Sequence, residues 1–298
     1  MAKKVWLIVG AVLVVIGLGL FLAVMAAHHW DLSALGVPTH ETTYQVKEEF
    51  QRIQIDTDTA DIVFVPSADG TCSVICDETA KETYSVSVVN DTLLIQHRDT
   101  RKWYEFFGFR GKSRLIVHLP KQQYVSLLIG ESTGDVEIPG DFSFDSISIT
   151  ASTGRLSLAD VSAGEINLAV STGRVALKNV RCAGDVRIGV STGRTELENV
   201  TCRNLTSTGS TGRIEMKNVI ASGKLSVERS TGDVKLDRCD AAEIRIETST
   251  GDVTGTLLSE KIFFTDTDTG SVRVPKTTTG GTCEITTDTG DIILEIVK

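Results

Sequence analysis

At 298 residues, 41% of them hydrophobic and 23% charged, the chain is long enough to bury a sizeable core and too apolar to stay unfolded. Its net charge of −9 makes it a poor general binder of nucleic acid and sets it against an anionic lipid surface. Six cysteines and five prolines complete a composition with no low-complexity bias.

Met1 to Lys4 form a short basic tail, and Val5 to Ala27 follow as 23 residues without a charge. As a helix that segment spans about 34 Å, enough to cross a bilayer. Lys3 and Lys4 precede it and no acidic residue occurs before Asp31, so the positive-inside rule keeps the amino terminus in the cytoplasm and exports the rest. A cleaved signal peptide is the competing reading. Its apolar region would be shorter, and Val24-Met25-Ala26 is a poor cleavage site. No cysteine near the end of the segment offers a site for lipoprotein processing. A tail of residues 1–4 cannot hold an effector domain, so any signalling must pass through a partner.

The span at 5–27 is followed by a mixed linker at 28–43, with Pro38, and by an irregular β region at 44–129. In that region "FQRIQIDTDTADIVFVPSADG" and "YSVSVVNDTLLIQH" show strand-like alternation and are expected to cap one end of the regular array that starts at residue 130. Between them and Leu115 lies "TRKWYEFFGFRGKSR", where Trp103, Tyr104, Phe106, Phe107 and Phe109 are interleaved with basic residues. One reading is an exposed loop for a partner, a glycan or the membrane interface; the other is aromatics packed on the end or side of the core.

From 130 to 298 the chain repeats itself. The glycine of a Ser-Thr-Gly motif recurs at Gly134, Gly154, Gly173, Gly193, Gly212, Gly232, Gly251, Gly270 and Gly290, always 19 or 20 residues apart. Ser-Thr becomes Asp268-Thr269 and Asp288-Thr289 in the last two copies. Apolar residues stand two and four places after most of these glycines, as at Val175/Leu177 and Val234/Leu236, with departures at Thr195 and Gly255. Seven places after it comes the column Val161, Val180, Val200, Val219, Cys239, Leu258, and a second alternating segment precedes the next glycine. Period two marks strands with one buried face, and no single unit can bury its own apolar row. Stacked at about 4.8 Å, the units form a continuous core. The predicted fold is all-β: a β-solenoid of about nine regular coils preceded by irregular strands, plus one amino-terminal transmembrane helix. The glycines are read as turns with positive φ, and Asn179, Asn199 and Asn218 as a side-chain ladder along the stack.

The residue after the glycine is Asp135, then Arg155, Arg174, Arg194 and Arg213, then Asp233, Asp252 and, in the last copy, Asp291. Stacking lines four arginines along one edge. They serve either as a basic stripe for an anionic cell-wall polymer or acidic partner, or as surface charges paired with Glu196 and Glu215. Cys182 and Cys202 occupy the same place on adjacent coils, within reach of a disulfide, whereas Cys239 and Cys283 read as core hydrophobes. "DTDTG" at Asp266 lacks the closing Glu of a calcium loop, and the histidines lack metal-ligand pairing. No P-loop, dinucleotide fingerprint or nucleophile elbow occurs, so neither enzyme chemistry, a metal nor a cofactor is implied.

The "STGDV" and "STGRV" repeats, the "VHLPK" run ahead of them and the apolar amino-terminal segment resemble the DUF4097 family of candidate adhesins, found mainly in Gram-positive bacteria. The resemblance covers about Tyr44 to Lys298. It implies a surface-exposed, right-handed β-solenoid on a single membrane anchor, with no catalytic residues to carry over. The leading expectation is a non-enzymatic, membrane-anchored extracellular scaffold or adhesin that binds something at the cell envelope. A signalling accessory acting on a membrane-protein partner is an alternative. A self-stacking polymer is another, because the chain ends on the strand-like "DIILEIVK" without an evident cap, which invites end-to-end association.

Overall fold

The computed structural model describes residues 2–27, 38–102 and 113–297. Helix α1 (Ala2–Ala27) is followed by seven strands: β1 (His40–Val46), β2 (Arg52–Thr57), β3 (Ala60–Pro66), β4 (Cys72–Glu78), β5 (Glu82–Val89), β6 (Thr92–Asp99) and β7 (Ser113–Leu119). The repeats supply β8 (Gln123–Thr133), β9 (Val136–Pro139), β10 (Ser143–Ala159), β11 (Ser162–Cys182), β12 (Asp185–Cys202), β13 (Asn204–Thr211) and β14 (Ile214–Thr231). They continue through β15 (Val234–Thr250), β16 (Val253–Leu257), β17 (Lys261–Thr269), β18 (Val272–Arg273), β19 (Gly281–Thr289) and β20 (Ile292–Ile296). The result is the β-solenoid expected from the repeats, with about nine turns.

Neighbouring coils pair in parallel and in register. Ile147 lies beside Ile166, Ile166 beside Val186, and Leu156 beside Val175. Inward rows before and after the glycine, such as Leu168, Ile188 and Leu205 or Leu177, Leu197 and Met216, are at most 2% exposed, so alternation in sequence becomes one continuous apolar interior. The third column, Val161, Val180, Val200, Val219 and Cys239, is also buried, but its last member is Leu257 rather than Leu258. The register slips between Leu236 and Cys239, so the coil that carries Gly255 is one residue shorter.

The glycine column has a stronger reason than a turn. In β11 and β12 the strand runs straight through the motif, and main-chain bonds such as Gly212 N–H to Thr231 O (2.8 Å) knit the coils. A Cβ on Gly193, whose φ is 147°, would lie 1.7 Å from the carbonyl oxygen of Gly173 one coil below. Backbone rests on backbone here, and no side chain fits between. The left-handed corner is made elsewhere, by Asn179, Asn199 and Asn218 (φ 53°, 54° and 52°). Asn tolerates that region better than other non-glycine residues. Their amides form the expected ladder: Asn218 donates to Asn199 (2.9 Å), Asn199 to Asn179 (2.8 Å), and Asn179 to Asp160 (2.8 Å).

At both ends the chain order departs from the spatial order. The last coil, β19–β20, lies between β15–β16 and β17–β18: Glu243 pairs with Thr282, while Gly281 pairs with Lys261 on its other side. At the other end β2–β3 is inserted between β6–β7 and β8–β9. There the stack is closed by antiparallel additions, β5 on β6 and β1–β4 on β7. The terminal strand β20 is therefore an interior rung. The open end is β17–β18, which leaves Phe264 57% and Val272 45% exposed.

This arrangement can be tested at two places. Gly193→Ala forces two main chains apart and should cost more than about 3 kcal/mol in denaturant unfolding. Gly189→Ala, whose Cβ meets nothing closer than 3.9 Å, should change stability by less than about 1 kcal/mol. Because, among the described residues, β17 and β18 pair only with β19 and β20, truncation after Thr279 should also release residues 261–273. Hydrogen exchange would show their amides losing protection while β11 and β12 keep theirs.

Candidate binding surface

The four arginines stand where the spacing puts them. Arg155 (β10), Arg174 (β11) and Arg194 (β12) are direct register partners, and Arg213 sits one coil further, its carbonyl accepting the Thr195 N–H (3.1 Å). Two are ion-paired: Arg174 with Glu196 (3.6 Å), and Arg213 with Glu215 (3.4 Å) and Asp233 (3.5 Å). All these groups are well solvated, so each pair is worth at most about 1 kcal/mol. Arg155 and Arg194 are exposed and make no ion pair among the described residues.

Where the same position is aspartate, the carboxylate does structural work. Asp61 accepts the Asp135 N–H (3.0 Å), Asp135 the Arg155 N–H (2.9 Å), and Asp252 the Asp291 N–H (2.8 Å). The arginine coils lack this bond, so the switch to arginine gives up a coil-to-coil contact in exchange for an outward cation.

Beside this edge the outward column two places before the motif serine runs Gly130, Thr150, Ala169, Gly189, Thr208. Its small side chains leave a groove of about 200 Å³ along four coils, bordered by Ser171 and Ser191. Between floor and arginines lie exposed hydroxyl rows, Ser152, Ser171, Ser191, Ser210 and Thr153, Thr172, Thr192, Thr211.

Two interior features were not legible as a site. Arg229 is buried at 5% exposure, donating to Ser207 Oγ (2.9 Å) and Thr195 Oγ1 (3.4 Å), and burial lowers its pKa to about 10. Gly209, its register partner, leaves the room it occupies. Thr195 breaks the apolar pattern because this guanidinium reaches it. The six cysteines are buried free thiols. The bridge between Cys182 and Cys202 is not formed, and Cys182 Sγ instead contacts Gly164 O (3.4 Å). Burial pushes the Cys202 thiol up to about 12.

A cavity of about 690 Å³ lies at the amino-terminal end, lined by Asp58, Asp77, Tyr84, His97, Ser113 and Asp135 among others. The aromatic segment with Trp103, Tyr104, Phe106, Phe107 and Phe109 lies outside the described residues. Behind the cavity Glu131 is buried, accepting from Ala60 N–H (3.3 Å), Thr133 N–H (3.1 Å) and the Thr57 hydroxyl. Burial dominates and pushes its carboxyl up to about 7, against the pull of those two N–H groups. No cluster of three or more metal-ligating side chains occurs among the described residues.

The folded chain holds the Glu131 proton more tightly than the unfolded chain does. Its contribution is therefore fully present below the ordinary carboxylate pKa and is lost as pH rises through about 7. Glu131→Gln keeps the acceptor for both N–H groups. It should melt several degrees higher than the parent at pH 8 and within a degree or so of it near pH 4 by scanning calorimetry.

Comparison with known proteins agrees with the fold. Residues 50–295 match the family described as Toastrack DUF4097. A candidate adhesin from Bacteroides fragilis superposes with a TM-score of 0.51 at 17% identity, covering 75% of this chain and 99% of its own. Another, from Parabacteroides merdae, gives 0.50 at 11% identity, covering 88% and 98%. At such identities the likeness is one of fold. No curated protein matches the sequence.

Proposed function

Because this chain belongs to the Toastrack DUF4097 family, we propose that it is a non-enzymatic, membrane-anchored β-solenoid that binds a component of the cell envelope from the outer side. The observation that carries the reading is the joining of two unlike parts. Within α1, the 24 residues Lys4–Ala27 are long and apolar enough to cross a membrane, and their most apolar 18 residues, of mean hydropathy 3.0, are not buried against the rest of the protein. From β1 onward the described residues form a stack whose outer faces carry repeated polar rows. Lys3 and Lys4 on the amino-terminal side favour export of the solenoid.

A scaffold of this kind gains affinity from repetition. Each coil adds an identical weak contact at a fixed spacing, and a chain-like ligand engaged by one coil meets the next at high local concentration. The fold supports such binding without a deep pocket, and the relatives described as candidate adhesins are in keeping with it.

Full-length protein with a carboxy-terminal tag should remain with membranes through alkaline carbonate extraction. The tag should be lost when protease is added to intact cells, and the mass should be that of the uncleaved chain. Release of a shorter soluble product, or a tag protected until lysis, would overturn the anchored, outward-facing arrangement.

A further inference from the structure

We propose that the groove over Thr150, Ala169, Gly189 and Thr208, with its arginine lip, is the binding site, and that it takes an extended anionic glycan or polyol chain lying parallel to the solenoid axis. The proposal rests on the envelope-binding reading above and names its surface and ligand class.

Gly189 points to the groove first. The glycines of the repeat motif are demanded by backbone contact, but Gly189 is not: an added Cβ would find its nearest neighbours at 3.9 and 4.0 Å, and its φ lies outside the left-handed region. Gly130, in the same column, is equally open, with Asp56 Oδ1 at 3.7 Å. A glycine inside a strand costs stability relative to alanine. Two in one outward column, with Thr150 and Ala169 between them in the stack, keep its face low where the fold does not need it.

The two rows stop on the same coil at one end, that of Thr208 and Arg213, and at the other the floor runs one coil past Arg155 to Gly130. The floor column is small from Gly130 to Thr208 and is closed by Asp56 at one end and by Glu228 and Glu247 at the other. The position after the motif glycine is cationic from Arg155 to Arg213 and is flanked by Asp135 and Asp233. In a chain of net charge −9, four arginines on four consecutive coils form a bounded cationic window of about 14 Å, three strand spacings long. Arg155 and Arg194, two coils apart, are its unpaired members among the described residues.

The chemistry between them selects the ligand. Exposed Ser and Thr rows lie between floor and lip and match the hydroxyls of a glycan or polyol, while the arginines match its phosphate or carboxylate groups. Among the described residues the groove lining is Thr, Ala, Val, Ser and Gly, with no aromatic ring on which a nucleobase would stack.

The test uses the full chain in nanodiscs of neutral lipid, titrated with poly(glycerol phosphate), polygalacturonate, neutral dextran and single-stranded DNA. Binding to one or both anionic chains and not to dextran or DNA is expected, and the tighter of the two identifies the anion. Gly189→Gln, which fills the channel, and the double change Arg155→Ser/Arg194→Ser should each weaken binding about tenfold or more. Lys235→Ser/Arg245→Ser, the same charge change outside the window, should leave it unaltered. Unchanged melting temperatures keep the variants interpretable. Equal binding by the parent, Gly189→Gln and the arginine variant would overturn the site. DNA bound as tightly as the glycans would overturn the ligand class, as would failure of all four probes by protein that still sediments with isolated envelope. A chain that neither binds nor sediments with envelope would overturn the envelope reading itself.

Discussion

The structure depends on main chain resting directly on main chain along the glycine column. Parallel coils can slide past one another by two residues without exposing an apolar face, since side-chain period two is preserved. The glycines remove that freedom. Where a Cβ on Gly193 would lie 1.7 Å from Gly173 O, only the in-register pairing of glycine on glycine lets neighbouring coils approach to hydrogen-bonding distance. The Asn179–Asn199–Asn218 ladder fixes the opposite side of the same coils through bonds of 2.8 and 2.9 Å. With register locked at two places per turn, every outward position becomes a straight row, and the arginine lip and the small-residue floor follow from that.

Inserting the first and last coils gives the stack a different kind of integrity. A solenoid built strictly in chain order can fray from its ends one coil at a time. Here β17–β18 cannot reach its neighbour until β19–β20 has been laid down between them, and β6–β7 likewise depends on β2–β3. The ends are held by contacts distant in sequence, which makes them slower to form and harder to peel. The carboxy-terminal strand is thereby withdrawn from the open end, and the edge a second molecule would meet belongs to β17, with Asp266 and Asp268 along it. Charge on an exposed edge opposes strand addition, which argues against indefinite end-to-end stacking.

Periodicity made the solenoid, its inner rows and the asparagine ladder legible, because a 19–20-residue repeat leaves few ways to bury alternate residues. It could not reveal the inserted coils. Thr287, Gly290 and Ile292 carry the same signals as any other copy, and the pattern is blind to spatial order. The one-residue slip that puts Leu257 in place of Leu258 was hidden for a related reason: spacing alone does not show where a coil shortens. Thr195 was visible as an exception, but its explanation, Arg229, lies 34 residues away. The arginine row was legible as a row. Its neighbour was not, because nothing in the sequence shows that Gly189 has space around it.

The binding surface depends on the outer rows standing at strand spacing over these four coils. Paired spin labels on the reconstituted full chain measure that directly. Labels at Arg174 and Arg194, on adjacent coils, should show strong dipolar broadening, with backbones about 5 Å apart, and labels at Arg155 and Arg213, three coils apart, should report backbones about 14 Å apart. Distances that fail to grow with coil number, or an Arg174–Arg194 pair beyond the range of broadening, would contradict the stacked register on which the binding surface rests.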